Sequence, residues 1–160
     1  MREVTLGDLE AAIRNVPDFP QPGIQFKDIT TLLLNHYIFE EVIDTFYNEF
    51  KDNKIDVIIG IESRGFIFAS PLALKLGCKF VLARKQGKLP SDTTREEYNL
   101  EYGTDAIEIH SDAIKKGEKV LILDDLLATG GTAKATSNIV KILGGEILCI
   151  AFLIRLKALK

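Results

Sequence analysis

Val120-Leu121-Ile122-Leu123-Asp124-Asp125-Leu126-Leu127-Ala128-Thr129-Gly130-Gly131-Thr132 is the stretch from which the fold is read. Its apolar run lacks polar alternation, which suits a strand buried on both faces, the usual state of a parallel sheet. The run meets two carboxylates, and a Thr-Gly-Gly-Thr turn then opens a helix predicted over 131–143. Glycines let a backbone approach a ligand closely, and the N–H groups of a helix start attract an anion. Thr129 and Thr132 add hydroxyl donors. Paired aspartates at the carboxyl end of a strand lie where open α/β sheets bind ligands. They suit the hydroxyls of a sugar, directly or through a hydrated Mg²⁺. Taken alone, the same segment is also explained by a capped helix start with solvated carboxylates.

Outward from it, Asp56–Ile61, Phe80–Ala83 and Ile147–Ile154 are further short apolar runs. Residues 65–76 and 131–143 read as the helices between them, stopped by Gly77 and by Gly144-Gly145. This alternation predicts an α/β domain, a parallel sheet flanked by helices with right-handed crossovers. Upstream, Val4, Leu6, Leu9, Ile13 and Val16 recur at helical spacing and predict a helix over 3–15. The prolines and glycine of Val16–Gly23 end it, and a second helix is predicted over 36–51. Residues 84–118 are mostly polar, and a connection of that length reads as a lid or binding loop. Within it Tyr98, Leu100 and Tyr102 alternate, as do Ile107 and Ile109, so part is expected as a two-stranded flap.

The chain has 160 residues, the length of one domain. Twenty Lys+Arg against 23 Asp+Glu give a net charge of -3, which disfavours a nucleic-acid polymer as partner. Cys78 and Cys149 read as separate buried thiols, and His36 and His110 are isolated, so a zinc site is not expected. The N-terminus is charged where a signal peptide is apolar, and the apolar runs fall short of the ~18 residues that span a bilayer. A soluble cytoplasmic protein without membrane contact is expected. There is no GxxxxGK[ST], and Gly60-Ile61-Glu62-Ser63-Arg64-Gly65 has the wrong spacing for a dinucleotide fingerprint.

The hydrophobic run, Asp-Asp and Ala-Thr-Gly-Gly-Thr together resemble the 5-phosphoribosyl pyrophosphate (PRPP) signature of the type I phosphoribosyltransferases. Other segments narrow the resemblance to the adenine phosphoribosyltransferase family. They are Phe19–Thr30, Gly60–Phe66, Arg84–Pro90 and Tyr98–Gly103, which occur in that family's order and cover nearly the whole chain. Arg155, where a glutamate is usual, and Thr31, where a proline is common, depart from the pattern. So does the end at Lys160, somewhat early for the family.

The resemblance implies one phosphoribosyltransferase domain over 1–160, with a hood and base-recognition segment over 1–35 and a flexible lid over 84–110. It implies transfer of the phosphoribosyl group of PRPP to adenine N9, giving AMP and pyrophosphate, with Mg²⁺ bound through PRPP and a likeness to homodimers. Carried over residue by residue, Ala128, Thr129, Gly130, Gly131 and Thr132 are expected to bind the 5-phosphate, and Asp124 and Asp125 the ribose hydroxyls. Glu62, Ser63, Arg64, Lys85 and Lys88 are expected at the pyrophosphate, with a cis peptide between Glu62 and Ser63. Phe26 is expected to stack on adenine, backbone groups around Gln25 and Lys27 to meet its Watson–Crick edge, and Leu126 to close the other face. Glu101 is the expected acid–base residue, because the matching glutamate contacts the purine N7.

Two rivals are weighed against this. A 6-oxopurine phosphoribosyltransferase lacks support in the base loop and in Leu100-Glu101-Tyr102-Gly103. A catalytically silent PRPP- or nucleotide-sensing regulator would need an effector surface, and neither a basic excess nor an appended module is present.

Overall fold

The computed structural model describes residues 4–99 and 103–156 and divides the chain into two compact units, 1–49 and 50–160. The N-terminal unit begins with α1 (Leu6–Ala11), whose start is fixed by a capping box: Thr5 N–H donates to Asp8 Oδ2 at 2.9 Å and Asp8 N–H to Thr5 Oγ1 at 3.3 Å. The helix predicted over 3–15 therefore stops at Ala11. Its second half is instead β1 (Arg14–Pro17), antiparallel to β2 (Gln25–Asp28). Pairing competes successfully because Arg14 stands opposite Asp28 and binds it, Nε and Nη2 lying 3.0 and 2.5 Å from Oδ2. The short α2 (Thr30–Leu33) and the long α3 (His36–Phe50) follow. Thr31, the departure from proline, donates its hydroxyl to Ala12 O at 2.6 Å and so ties α2 to the end of α1.

The second unit is a six-stranded sheet. In chain order it comprises β3 (Val57–Ile61), α4 (Gly65–Leu76), β4 (Lys79–Lys85), β5 (Thr93–Asn99), β6 (Thr104–His110), β7 (Lys119–Leu127), α5 (Gly131–Ile142) and β8 (Glu146–Arg155). The strands lie in the order β5-β6-β4-β3-β7-β8. The four strands read from the apolar runs are mutually parallel, whereas β5 and β6 are antiparallel. The sheet is thus mixed, and the polar stretch read as a connection supplies a hairpin to it. Sequence polarity misleads there because Ile107 and Ile109 need only one apolar residue in two to enter the core.

Alternation divides the central strands between two layers. Ile59, Val81, Ile107 and Ile122 share a cluster with Ala135, Ile139 and Val140 of α5. Gly60, one position out of phase, faces α4: a Cβ there would lie 3.0 Å from both Ala69 Cβ and Phe80 Cε2. Every residue of β3 is buried, which accounts for its unbroken apolar run. The Glu62–Ser63 peptide that follows β3 is cis.

Candidate functional site

The strand expected to give way at Asp124 continues to Leu127, because β8 is long enough to pair with it as far as Arg155. Both aspartates therefore belong to the strand, Asp124 standing opposite Phe152. After Leu127 the turn places Gly130 at φ 79°, a left-handed conformation that favours glycine, and α5 begins at Gly131. Ala128, Thr129, Gly130, Gly131 and Thr132 line a cavity of about 70 Å³ together with Asp124, Leu126 and Phe152. The first turn of α5 carries no acidic residue, so its N–H groups and the helix dipole favour an anion.

Asp125 is buried and has Arg64 Nε 2.9 Å from its Oδ2. No hydrogen bond is aligned on that oxygen, so the contact is ionic rather than directional. Gly65, which begins α4, makes the approach possible. A Cβ there would sit 2.8 Å from Leu123 O and 3.1 Å from Asp124 Oδ1. Asp125 N–H donates to Asp124 Oδ1 at 2.8 Å. Burial, and next the neighbouring Asp125 charge, push the Asp124 carboxyl up to about 7 even though that N–H pulls it down. Burial likewise pushes Asp125 upward against the pull of Arg64.

The Asp124 value carries a sign for stability. Between the ordinary 3.8 and about 7 the folded protein holds a proton that the unfolded chain has lost. The stabilisation is therefore full below the unfolded value and disappears as pH rises through the folded one. Asp124→Asn is expected to melt roughly 3–6 °C above the parent at pH 8, about 1–2 kcal/mol after discounting for solvent screening, with a smaller gap at pH 5. Thermal unfolding of both proteins, without ligand, across that range checks it. A gap that does not change with pH contradicts it.

Glu62 follows β3 and offers its carboxylate to the chain, accepting from Arg84 Nε at 3.2 Å, Arg84 Nη2 at 3.3 Å and Lys85 N–H at 2.8 Å. Burial pushes Glu62 up, but Arg84 and the Lys85 N–H outweigh it and the net displacement is downward. An ionised acceptor so engaged supports the cations around it, and Arg84 also donates Nη1 to Lys88 O at 3.2 Å. Ser63 and the Lys88 side chain are exposed. Lys85 Nζ lies 3.1 Å from Asp105 Oδ2, and the Tyr98 hydroxyl donates to that same oxygen at 3.2 Å. The Tyr98 ring packs against the cluster that contains Ala135 and Ile139 of α5. The structure thus brings Arg64 to Asp125, Glu62 to Lys85, and Tyr98 to α5.

Gln25, Phe26 and Lys27 belong to the N-terminal unit, on β2. Phe19 meets Phe26 edge-on, with ring centroids 5.1 Å apart, and the Lys27 ammonium donates to Asn15 Oδ1. Pro17 stands opposite Gln25 and brings no N–H to the ladder, and Gln25 and Lys27 flank Phe26 along β2. Glu101, with Leu100 and Tyr102, lies outside the described residues.

Arg84, Tyr98 and Asp105 join the site without having been singled out. Arg84 and Tyr98 sit inside segments that were quoted for other residues, whereas Asp105 is revealed only by strand pairing, opposite Tyr98. Among the described residues no group of three His, Cys, Asp or Glu could hold a metal, and no helix is long and apolar enough to cross a membrane.

The phosphoribosyl transferase domain family matches residues 28–159. An adenine phosphoribosyltransferase of Chloroflexus aurantiacus is 54% identical over 153 residues, which is 96% of this chain and 88% of the relative. Among solved structures, the adenine phosphoribosyltransferase of Thermoanaerobacter pseudethanolicus superposes with a TM-score of 0.94 at 48% identity, covering 98% of this chain and 91% of that one. The Saccharomyces cerevisiae enzyme, solved with D-2,5-dideoxy-2,5-imino-altritol 1,6-bisphosphate and adenine, superposes with a TM-score of 0.91 at 41% identity, covering 96% and 89%.

Proposed function

This chain belongs to the phosphoribosyl transferase domain family, among its adenine phosphoribosyltransferases, and from that premise we propose how its residues divide the work. It transfers the 5-phosphoribosyl group of PRPP to adenine, a purine salvage reaction that yields AMP and pyrophosphate. The substrate carries an anion at each end of a sugar, and the site is read from those two ends inward.

The observation that carries the assignment is the cavity lined by Asp124 and Ala128–Thr132. Its glycine turn, hydroxyls and helix N-terminus take the 5-phosphate, leaving Asp124 at the sugar. Asp125 shares the ribose end and also anchors Arg64, which faces the pyrophosphate with Lys85, Lys88 and Ser63. Glu62 serves there by holding Arg84 and the Lys85 backbone. As the bond from C1 to pyrophosphate breaks, positive charge grows on the sugar ring, and the two aspartates stabilise it. A carboxylate pair of hard oxygen donors suits Mg²⁺ held mainly by the substrate's own oxygens, with Asp124 and Asp125 nearest. When bound, the ion supplies neutralisation of the departing pyrophosphate.

Adenine presents a donor at N6 and an acceptor at N1, which backbone N–H and C=O groups around Gln25 and Lys27 complement. A 6-oxopurine reverses that order and would leave buried groups facing like partners. Phe26, steadied by Phe19, stacks on the base. The bisphosphate and adenine found together in the yeast relative support this division into two anion ends and a base. The homodimer and the cytoplasmic setting rest on the family resemblance, and light scattering of the purified chain checks the first.

Glu101 manages the proton of the purine, exchanging it at N7 as the N9 bond forms. Glu101→Ala is expected to lower turnover about a hundredfold while the Kd for PRPP changes less than about threefold. Steady-state rates with calorimetric PRPP binding test this, and unaltered turnover removes Glu101 from the role.

A further inference from the structure

Lys85 is a cation on the end of a central strand, and a lysine side chain left to itself is mobile. Here three neighbours constrain it. Lys85 pairs with Ile107 across β4 and β6, and Asp105, two residues before Ile107, shares its face. Asp105 stands opposite Tyr98 on β5, so the carboxylate, the phenol and the ammonium converge on one side of the sheet. That is the side covered by α5, as the packing of Ala135 and Ile139 against Ile107 demonstrates.

Both oxygens of Asp105 are used. Oδ1 accepts the Ala106 N–H at 2.8 Å, while Oδ2 takes the Lys85 ammonium at 3.1 Å and the Tyr98 hydroxyl at 3.2 Å. The carboxylate orientation is therefore set by its own strand. The far end of the chain is set as well, because the Tyr98 ring packs on the cluster that contains Ala135 and Ile139 of α5. Thr132 lines the cavity assigned to the 5-phosphate, and Lys85 is assigned to the pyrophosphate.

We propose that Asp105 and Tyr98 are positioning residues, holding Lys85 at a fixed place relative to α5, whose first turn is assigned to the 5-phosphate, so that the two anion-binding segments are spaced for the two ends of one PRPP molecule. The inference rests on the assignment of Lys85 to pyrophosphate. Neither residue is assigned to substrate; both act through the Lys85 ammonium. A rival physical effect has the opposite sign. A carboxylate beside a polyanion repels it, so if Asp105 only supplied charge, its removal would tighten PRPP binding.

The test is a double-mutant cycle on KM and kcat with Mg²⁺ and PRPP, using Asp105→Asn, Lys85→Ala and the pair. Asp105→Asn is expected to raise the KM for PRPP about tenfold, leave the KM for adenine within twofold, and have under twofold further effect once Lys85 is alanine. Tyr98→Phe, which keeps the ring and removes only the hydroxyl, is expected to shift the same parameter about threefold. It carries the test if Asp105→Asn proves unstable by thermal melting. Tighter PRPP binding in Asp105→Asn, an unchanged KM, or an undiminished penalty in the Lys85→Ala background overturns the proposal. If Lys85→Ala itself binds PRPP like the parent, the assignment of Lys85 fails instead, and the proposal with it.

Discussion

Arg64→Ala is expected to lower kcat/KM for PRPP between a hundredfold and a thousandfold and to destabilise the protein by about 2–3 kcal/mol. Two separate losses contribute. The guanidinium is a third exposed while the Asp125 carboxyl it pairs with is almost wholly buried, at 33% and 4% side-chain exposure. Removing the arginine leaves that carboxylate inside the protein with no cation beside it, and burial then forces it toward the protonated form. The second loss is a fork of donors proposed to meet the leaving pyrophosphate. A lysine replaces the charge but not the planar fork, so Arg64→Lys should recover less than a tenth of the lost activity. The losses can be separated. Adding Asp125→Asn to Arg64→Ala removes the stranded charge and should raise the melting temperature above that of the single variant, while turnover stays low. A single variant within twofold of the parent in rate would mean that Arg64 serves neither role.

Gly65→Ala is the second large effect, and it follows from space alone. The added methyl would lie 2.8 Å from Leu123 O and 3.2 Å from Asp124 Cα. These are backbone atoms of a central strand paired on both sides, so they cannot swing away as a flexible side chain would. The start of α4 must move back from β7, and it carries Arg64 with it. A loss of about 2–3 kcal/mol is expected, with kcat/KM lowered about a hundredfold, since displacement of a catalytic group by about 1 Å costs that much. Gly77→Ala provides the comparison. Gly77 ends the same helix at φ 68° with open space around it, so alanine there should cost about 1 kcal/mol and leave the rate unchanged. Equal rates for the two variants would show that close approach at Gly65 does not position the site.

The legible parts of this protein were those in which one physical requirement governs many consecutive residues. Burial on both faces writes an unbroken apolar run, so β3, α4 and the start of β7 could be placed within a residue, including the glycine stop at Gly77, whereas the end of β7 runs four residues past its apolar run. Where two requirements compete, the pattern is ambiguous. Val4 to Val16 has helical spacing, yet the pairing of Arg14 with Asp28, fourteen residues on, takes the second half into a strand. The hairpin of β5 and β6 was half visible in its alternating isoleucines and obscured by the charges between them. Within the site, residues that meet a ligand sit in recognisable motifs, whereas those that hold other residues do not. Asp105 has no motif because its partners, Lys85 and Tyr98, come from two other strands.

Formation of the nucleoside monophosphate from PRPP and Mg²⁺, measured in parallel with adenine, hypoxanthine and guanine at equal concentration, tests the central claim most directly. The account predicts turnover with adenine and, for either 6-oxopurine, a kcat/KM lower by at least about a thousandfold, the reversed hydrogen-bond order against the backbone around Gln25 and Lys27 being the cause. No turnover of adenine, with PRPP still bound, would contradict it.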